Sequence, residues 1–282
     1  MGNSVATIGD HAFELCSSLT SVTIPDSVTI IGDWAFDWCT SLTSVTMGNS
    51  VATIGYLAFA WCTSLASVAI PNSVTNIGNS AFEDCARLAN VTIGSGVTAI
   101  EDSVFVVCPR LASVTIPASV ASIGNLAFGY CTGLTNVVIP TSVTNIADGA
   151  FENCYNLEGV YFEGNTPALG MNVFAYDSNA IVYYLPGNTG WAATFGCLPT
   201  ALWSLPNPII LNTGPNFGVQ TNGFGFVISW ATNVAVVVEA CTNLANPIWS
   251  PVATNTMAGG SSYFSDPQWM YHPQRFYRLR SP

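Results

Sequence analysis

Residues 31–53 read "IGDWAFDWCTSLTSVTMGNSVAT" and residues 54–76 read "IGYLAFAWCTSLASVAIPNSVTN". The second stretch restates the first 23 residues later, and the same step carried along the chain gives four columns in strict register. Cys16, Cys39, Cys62, Cys85, Cys108, Cys131 and Cys154 form one column. Phe13, Phe36, Phe59, Phe82, Phe105, Phe128 and Phe151 form a second, which Phe174 extends. Ile8, Ile31, Ile54, Ile77, Ile100, Ile123 and Ile146 make the third, and Leu19, Leu42, Leu65, Leu88, Leu111, Leu134 and Leu157 the fourth. A fixed period of roughly 20 to 50 residues marks a stacked repeat, in which each unit buries its apolar face only against its neighbours. The opening phrase "MGNSVATIG" recurs at 47–55 for the same reason.

Each unit can be placed on physical grounds. Leu42, Val45 and Met47 keep an L-x-x-L-x-L spacing, as Leu19, Val22 and Ile24 do one coil earlier. This predicts a short strand whose Val and Ile point inward while the intervening Ser and Thr point out. Pro25, Pro71, Pro117, Pro140 and Pro186, with Gly48 and Gly94 in the same column, turn the chain out of that strand. "SVTxI" then forms a second short extended stretch. Asp10, Asp33, Asn79, Asp102, Asn125 and Asp148 follow the glycine position of "IG" and are placed to cap a helical turn carrying "AFxxC". An eighth coil is decayed, with Asp177 in place of the cysteine, Ala180 of the leucine and Tyr183 of the valine, while Phe174 and Pro186 hold register. It reads as a terminal, capping coil.

The unit "IGxxAFxxCxxLxxVxIP" resembles the BspA-type leucine-rich repeats of bacterial and some protozoan surface proteins, over residues 1 to about 186. The resemblance implies a leucine-rich repeat solenoid, a right-handed coil of 23-residue units built of short strands and helical turns, over 1–188. It implies a non-catalytic secreted or cell-surface protein that binds other proteins or host surfaces, an adhesion or interaction scaffold. After Pro186 the period is lost. Residues 189–216 are rich in Gly, Pro and Asn and read as an end piece and linker. From Phe217, "GFGFVISW", "VAVVVEAC", "IWSPVA", "SSYFSDP" and "RFYRLR" are short strands between turn signals, which predicts a small all-β sandwich-like module over 217–282. It is similar to C-terminal β modules that close secreted bacterial repeat proteins.

Met1 falls in the column of Ile24, Met47, Ile70 and Ile93, so the chain starts part-way through a coil. The expectation is that a cap, further coils and a secretion signal precede it in a longer protein, and that the uncapped first coil offers a surface for end-to-end self-association.

Charge narrows the partners. Charged residues are 7% of the chain, there is no lysine, and five arginines stand against sixteen acidic groups for a net charge of −11. Such a chain has no electrostatic footprint for phosphate backbones, which argues against nucleic acid. No apolar run approaches the ~18 to 20 residues of a membrane span, and "MGNSVATIGDHAF" lacks the pattern of a secretory leader. The seven column cysteines hold one structural position without a Cys-x-x-Cys pair or Cys/His cluster, so buried free thiols are expected and no metal or cofactor. Cys197 and Cys241 lie outside the ladder, and both a bridge and two free thiols stay open for them. His11 and His272 stand in no catalytic motif, and a nucleophile triad, H-E-x-x-H and P-loop are absent. Glu83, Asp84, Glu101, Asp102, Asp148 and Glu152 read as a solvated acidic face. An enzyme is not expected.

The repeats instead offer surface. Outward strand positions give the row Thr23, Thr46, Ala69, Thr92, Thr115, Val138, Tyr161, a hydroxyl-rich face of roughly 40 Å at ~4.8 Å per coil suited to a protein or glycan. A second candidate is the aromatic set on the turns, Trp34, Trp38, Tyr56, Trp61 and Tyr130, which would serve a carbohydrate-binding alternative by stacking on sugar rings. At the C-terminus Arg275, Arg278 and Arg280 form either the charged face of an edge strand or a sorting or anchoring tail.

Overall fold

A computed structural model describes residues 2, 4–203, 209–211, 217–220, 223–229, 235–257, 261–272 and 274–280. Met1, and with it the expectation about the start of the first coil, lies outside the described residues, as does the 216/217 boundary. Two compact units emerge: Met1–Tyr184 with Gly190–Ala201, and Leu185–Thr189 with Leu202–Pro282.

Each coil of the first unit has three sides. On one side β2 (Ser21–Thr23), β4 (Ser44–Thr46), β6 (Ser67–Ala69) and β8 (Asn90–Thr92) form a parallel sheet. A second sheet on the same side runs through β10 (Ser113–Thr115), β12 (Asn136–Ile139), β14 (Gly159–Phe162) and β16 (Ile181–Tyr184) to β18 (Leu198–Leu202) and β17 (Thr194–Phe195). Register follows the sequence period, with Ser21 opposite Ser44 and Val114 opposite Val137. The second side carries two-residue strands: β1 (Thr7–Ile8), β3 (Ile30–Ile31), β5 (Thr53–Ile54) and β7 (Asn76–Ile77), then β9 (Ala99–Ile100), β11 (Ser122–Ile123), β13 (Asn145–Ile146) and β15 (Ala168–Leu169).

The third side departs from the expected helical turn. The "GxxAFxxC" segments are chains of tight turns, closed within the coil by bonds such as Ala12 N–H to Gly9 C=O and Cys16 N–H to Phe13 C=O. Two residues per segment are left-handed, the second and sixth after the glycine position: Trp34 (φ 53°) and Trp38 (φ 58°), Leu57 (52°) and Trp61 (54°), Ser103 (58°) and Val107 (56°). The cause is backbone accounting. A helix would spend its N–H groups inside its own coil, whereas here His11, Phe13 and Leu15 donate theirs to the carbonyls of Asp33, Ala35 and Asp37 in the next coil. The Asx residues do not cap a helix either. Asp10 Oδ1 accepts the backbone N–H of Asp33 at 2.9 Å and Asp33 Oδ1 that of Tyr56 at 2.7 Å, so the column bonds to itself from coil to coil.

A left-handed L-residue costs ~1–2 kcal/mol, and a β-branched one is the worst case. Val107→Gly is therefore expected to raise stability by about 1 kcal/mol in a urea melt, since glycine relieves the strain with little side chain to lose. Unchanged or reduced stability would mean that packing of the valine outweighs it.

The interior is a set of ladders. Phe13 through Phe174 stack in one column with centroids 5.0 to 5.7 Å apart and nearly parallel rings. The six buried column cysteines each donate S–H to the carbonyl of the phenylalanine 26 residues earlier, as in Cys62 to Phe36 at 3.3 Å and Cys131 to Phe105 at 3.2 Å. A small apolar side chain with one weak donor fits this slot, which explains the column without a metal or a bridge.

The eighth coil is one residue short. Val160 pairs with Val182 and Tyr161 with Tyr183, a step of 22. Val182 therefore takes the inward place expected of Tyr183, and Tyr183 joins the outward row. The same shift sets Leu185, not Pro186, after the strand, where the coils before Glu163 have their Pro/Gly column.

Among the described residues of the second unit all strand pairing is antiparallel. One sheet has β21 (Gly223–Ser229) against β19 (Ile209–Leu211), β20 (Gly218–Gln220) and β24 (Ser261–Asp266); the other has β22 (Ala235–Cys241) between β23 (Ser250–Thr256) and β25 (Phe276–Arg280). Phe226, Ile228, Val236, Val238 and Phe264 from the two sheets, with Met257 just after β23, bury one core, as alternating strands predict. A 3₁₀ turn, Trp269–Tyr271, precedes β25.

Candidate interaction faces

Strand sterics build the first face. The three-residue strands β4, β6, β8 and β10 each bury the central valine and expose the residues on either side, while Val22 of β2 is half-buried. Thr23, Thr46, Thr92 and Thr115 are all exposed in one row, and Val138 is 40% exposed. The row ends on an aromatic pair, Tyr161 and Tyr183, with centroids 4.9 Å apart and planes within 10°. Gly159 makes room for it: a Cβ there would lie 2.5 Å from Cε2 of Tyr161, so the ring lies over the glycine. Burial, followed by the neighbouring Tyr183 and Glu158, pushes the Tyr161 hydroxyl above its ordinary range. Tyr183 is the residue that the sequence reading missed on this face. Its signal is the match of "GVYF" (159–162) to "IVYY" (181–184), visible only when one residue is dropped from the period.

The turn face is aromatic and acidic. Trp38 and Trp61 stack at 4.7 Å with planes 6° apart, and Trp38 is 42% exposed. Trp34 stacks on His11 at 4.7 Å and meets Tyr56 edge-on at 5.0 Å. The stack of Trp38 on Trp61 takes one face of each ring, and their column continues with Leu15 on one side and Asp84 on the other. Among the neighbouring carboxylates, Asp37 is 7% exposed and its Oδ1 has no partner; burial, then Glu14, push its pKa up to about 6.

Charge separates the units. Of the sixteen acidic residues only Glu239 and Asp266 fall in the second unit, which holds three of the five arginines. Those three arginines face carboxylates. Arg278 Nε lies 2.7 Å and Arg280 Nε 3.1 Å from the two oxygens of Glu239 across the β22–β25 pair, and Arg278 also covers the Trp249 ring at 4.6 Å. These hydrogen bonds, Arg278 first and Arg280 second, hold the Glu239 carboxyl below its usual range. Arg275 Nε lies 2.7 Å from Asp266 Oδ2, which also accepts the Tyr277 hydroxyl at 2.9 Å.

All nine cysteines are free thiols, and no group of three or more His, Cys, Asp or Glu among the described residues could hold a metal ion. Cys16 and Cys197 are exposed, while burial pushes the buried thiols of the column upward, Cys39 to about 11 and Cys62 further. A thiol reagent at pH 8 is expected to modify two cysteines per folded chain and the other seven only in denaturant. More than two fast-reacting thiols would show that the ladder opens locally.

The sequence model of the BspA type leucine rich repeat region matches in six copies, over residues 1–111 and 98–190. No curated protein matches. Among solved structures, a leucine-rich repeat protein from Bacteroides ovatus is 29% identical, covering 65% of this chain and 54% of its own, with a TM-score of 0.53. A leucine rich cell surface protein from Faecalibacterium prausnitzii is 32% identical, covering 58% of this chain and 53% of its own, with a TM-score of 0.46. A T. pallidum leucine rich repeat protein is 34% identical, covering 61% and 71%, with a TM-score of 0.45. The chain thus spans about half the length of the first two.

Proposed function

Because the chain belongs to the BspA-type leucine-rich repeat family, a family of bacterial surface proteins, we propose that it is an exported, non-catalytic scaffold that holds a protein partner on its strand face, in adhesion or surface interaction. The observation that carries this reading is the row from Thr23 to Tyr183: outward, uncharged and hydroxyl-rich, ending on a stacked tyrosine pair. Short residues on a backbone locked by coil-to-coil hydrogen bonds lose little entropy when a partner docks, and the tyrosines supply the rigid amphipathic anchor typical of binding hot spots. No helix among the described residues is long and apolar enough to cross a membrane.

The test is binding of the full chain to an array of immobilised extracellular and cell-surface proteins. Saturable binding is expected, lost at least tenfold in Thr92→Arg/Thr115→Arg and in Tyr161→Ala, and kept in Trp38→Ala. Binding that survives the arginines, or that Trp38→Ala abolishes equally, would remove the strand face as the site.

A further inference from the structure

We propose that the second unit carries a binding pocket for a neutral sugar ring, built around Trp269. The pocket has a volume of about 300 Å³, at the lower end of the ~300 to 1,000 Å³ that small-molecule sites occupy. Its apolar wall is Phe224 and Tyr277, stacked on each other at 5.5 Å with planes 4° apart, so their own faces are engaged. Trp269 differs. It stands half-buried on the 3₁₀ turn at the pocket, and no ring contact or cation engages it among the described residues. Beside it on the same turn, Met270 is 65% and Tyr271 77% exposed.

The polar lining selects the ligand class. His272, Gln274 and Arg275 converge on the same space. The charge of Arg275 is met by Asp266, a 5% exposed carboxylate at 2.7 Å, so the pocket offers hydrogen bonds around an indole and little net field. An anion gains little there. A pyranose suits it, because its C–H face carries partial positive charge that meets the negative face of the indole, while its hydroxyls need donors and acceptors at the rim. The pocket lies wholly within the second unit, so this inference does not depend on the strand-face reading. The solenoid aromatics Trp38 and Trp61, each with one ring face taken by the other, serve as the internal control.

The experiment is retention of the full chain on an array of immobilised neutral and uronic-acid-containing oligosaccharides. Saturable retention on neutral glycans is expected, reduced at least tenfold in Trp269→Ala and several-fold in Gln274→Ala, largely kept in Trp269→Phe and unchanged in Trp38→Ala. Gln274 is exposed, so its variant decides the matter even if Trp269→Ala fails to fold. The proposal is overturned if no neutral glycan is retained, if only the uronic-acid glycans are, or if Gln274→Ala binds as strongly as Trp38→Ala.

Discussion

Asp177→Cys stabilises the chain by on the order of 4 kcal/mol at pH 8 and by about half of that at pH 5. Asp177 fills the cysteine column in the eighth coil, where it is 1% exposed and neither carboxylate oxygen has a partner. Column cysteines donate to the carbonyl 26 residues earlier, here that of Phe151, and an ionised carboxylate has no proton to donate. Burial, reinforced by Glu152, raises its pKa from 3.8 to about 7. The folded state therefore keeps a proton that the unfolded chain releases. Stability is intact below the unfolded value of 3.8, declines as pH rises, and is fully reduced once the pH passes about 7. Cysteine restores the neutral donor of the other coils. Asp177→Asn should give most of the same gain, because it removes the charge and supplies an N–H donor. Urea melts of the three chains at both pH values check this. A gain independent of pH would show that the effect is one of packing and that the carboxyl carries no unpaired charge.

Phe105→Ala destabilises the chain by about 4 kcal/mol, the upper range for deleting a buried aromatic. The ring is fully buried between Phe82 at 5.6 Å and Phe128 at 5.5 Å, so its loss opens a cavity and breaks two stacked contacts, each worth roughly 0.5–1.5 kcal/mol beyond area. Coils touch only their neighbours, so the damage is felt at two interfaces in mid-solenoid and can uncouple the coils on either side. Phe105→Leu, which refills most of the volume, should cost less than half as much. Equal costs for the two variants would mean that ring stacking, more than filled volume, sets the stability of the column.

The solenoid was legible because its information is written once and repeated. A column of Phe, Cys, Leu or Ile at one position has one physical reading, an inward face stacked coil on coil, and each repetition removes alternatives such as a lone helix or a metal-binding cysteine set. The strand-face row followed from strand alternation. The Trp34, Trp38 and Trp61 set was legible as a cluster but not as a geometry, since nothing in the spacing says whether rings lie face to face.

What the sequence determined by itself, then, is the period, the inward columns, the outward threonine row and the two-sheet character of the last 60 or so residues, all products of side-chain polarity repeated at short range. Tertiary structure alone decided four things. It made the "AFxxC" segment part of a chain of tight turns with left-handed residues, because alternate N–H groups are claimed by carbonyls 22 residues away. It dropped one residue from the eighth coil and so brought Tyr183 beside Tyr161. It paired Arg278 and Arg280 with Glu239, and it assembled the Trp269 pocket from residues between 219 and 277. The reason is the same each time: a backbone group or charge takes its partner from another coil or strand, and local residue preference carries no record of that choice.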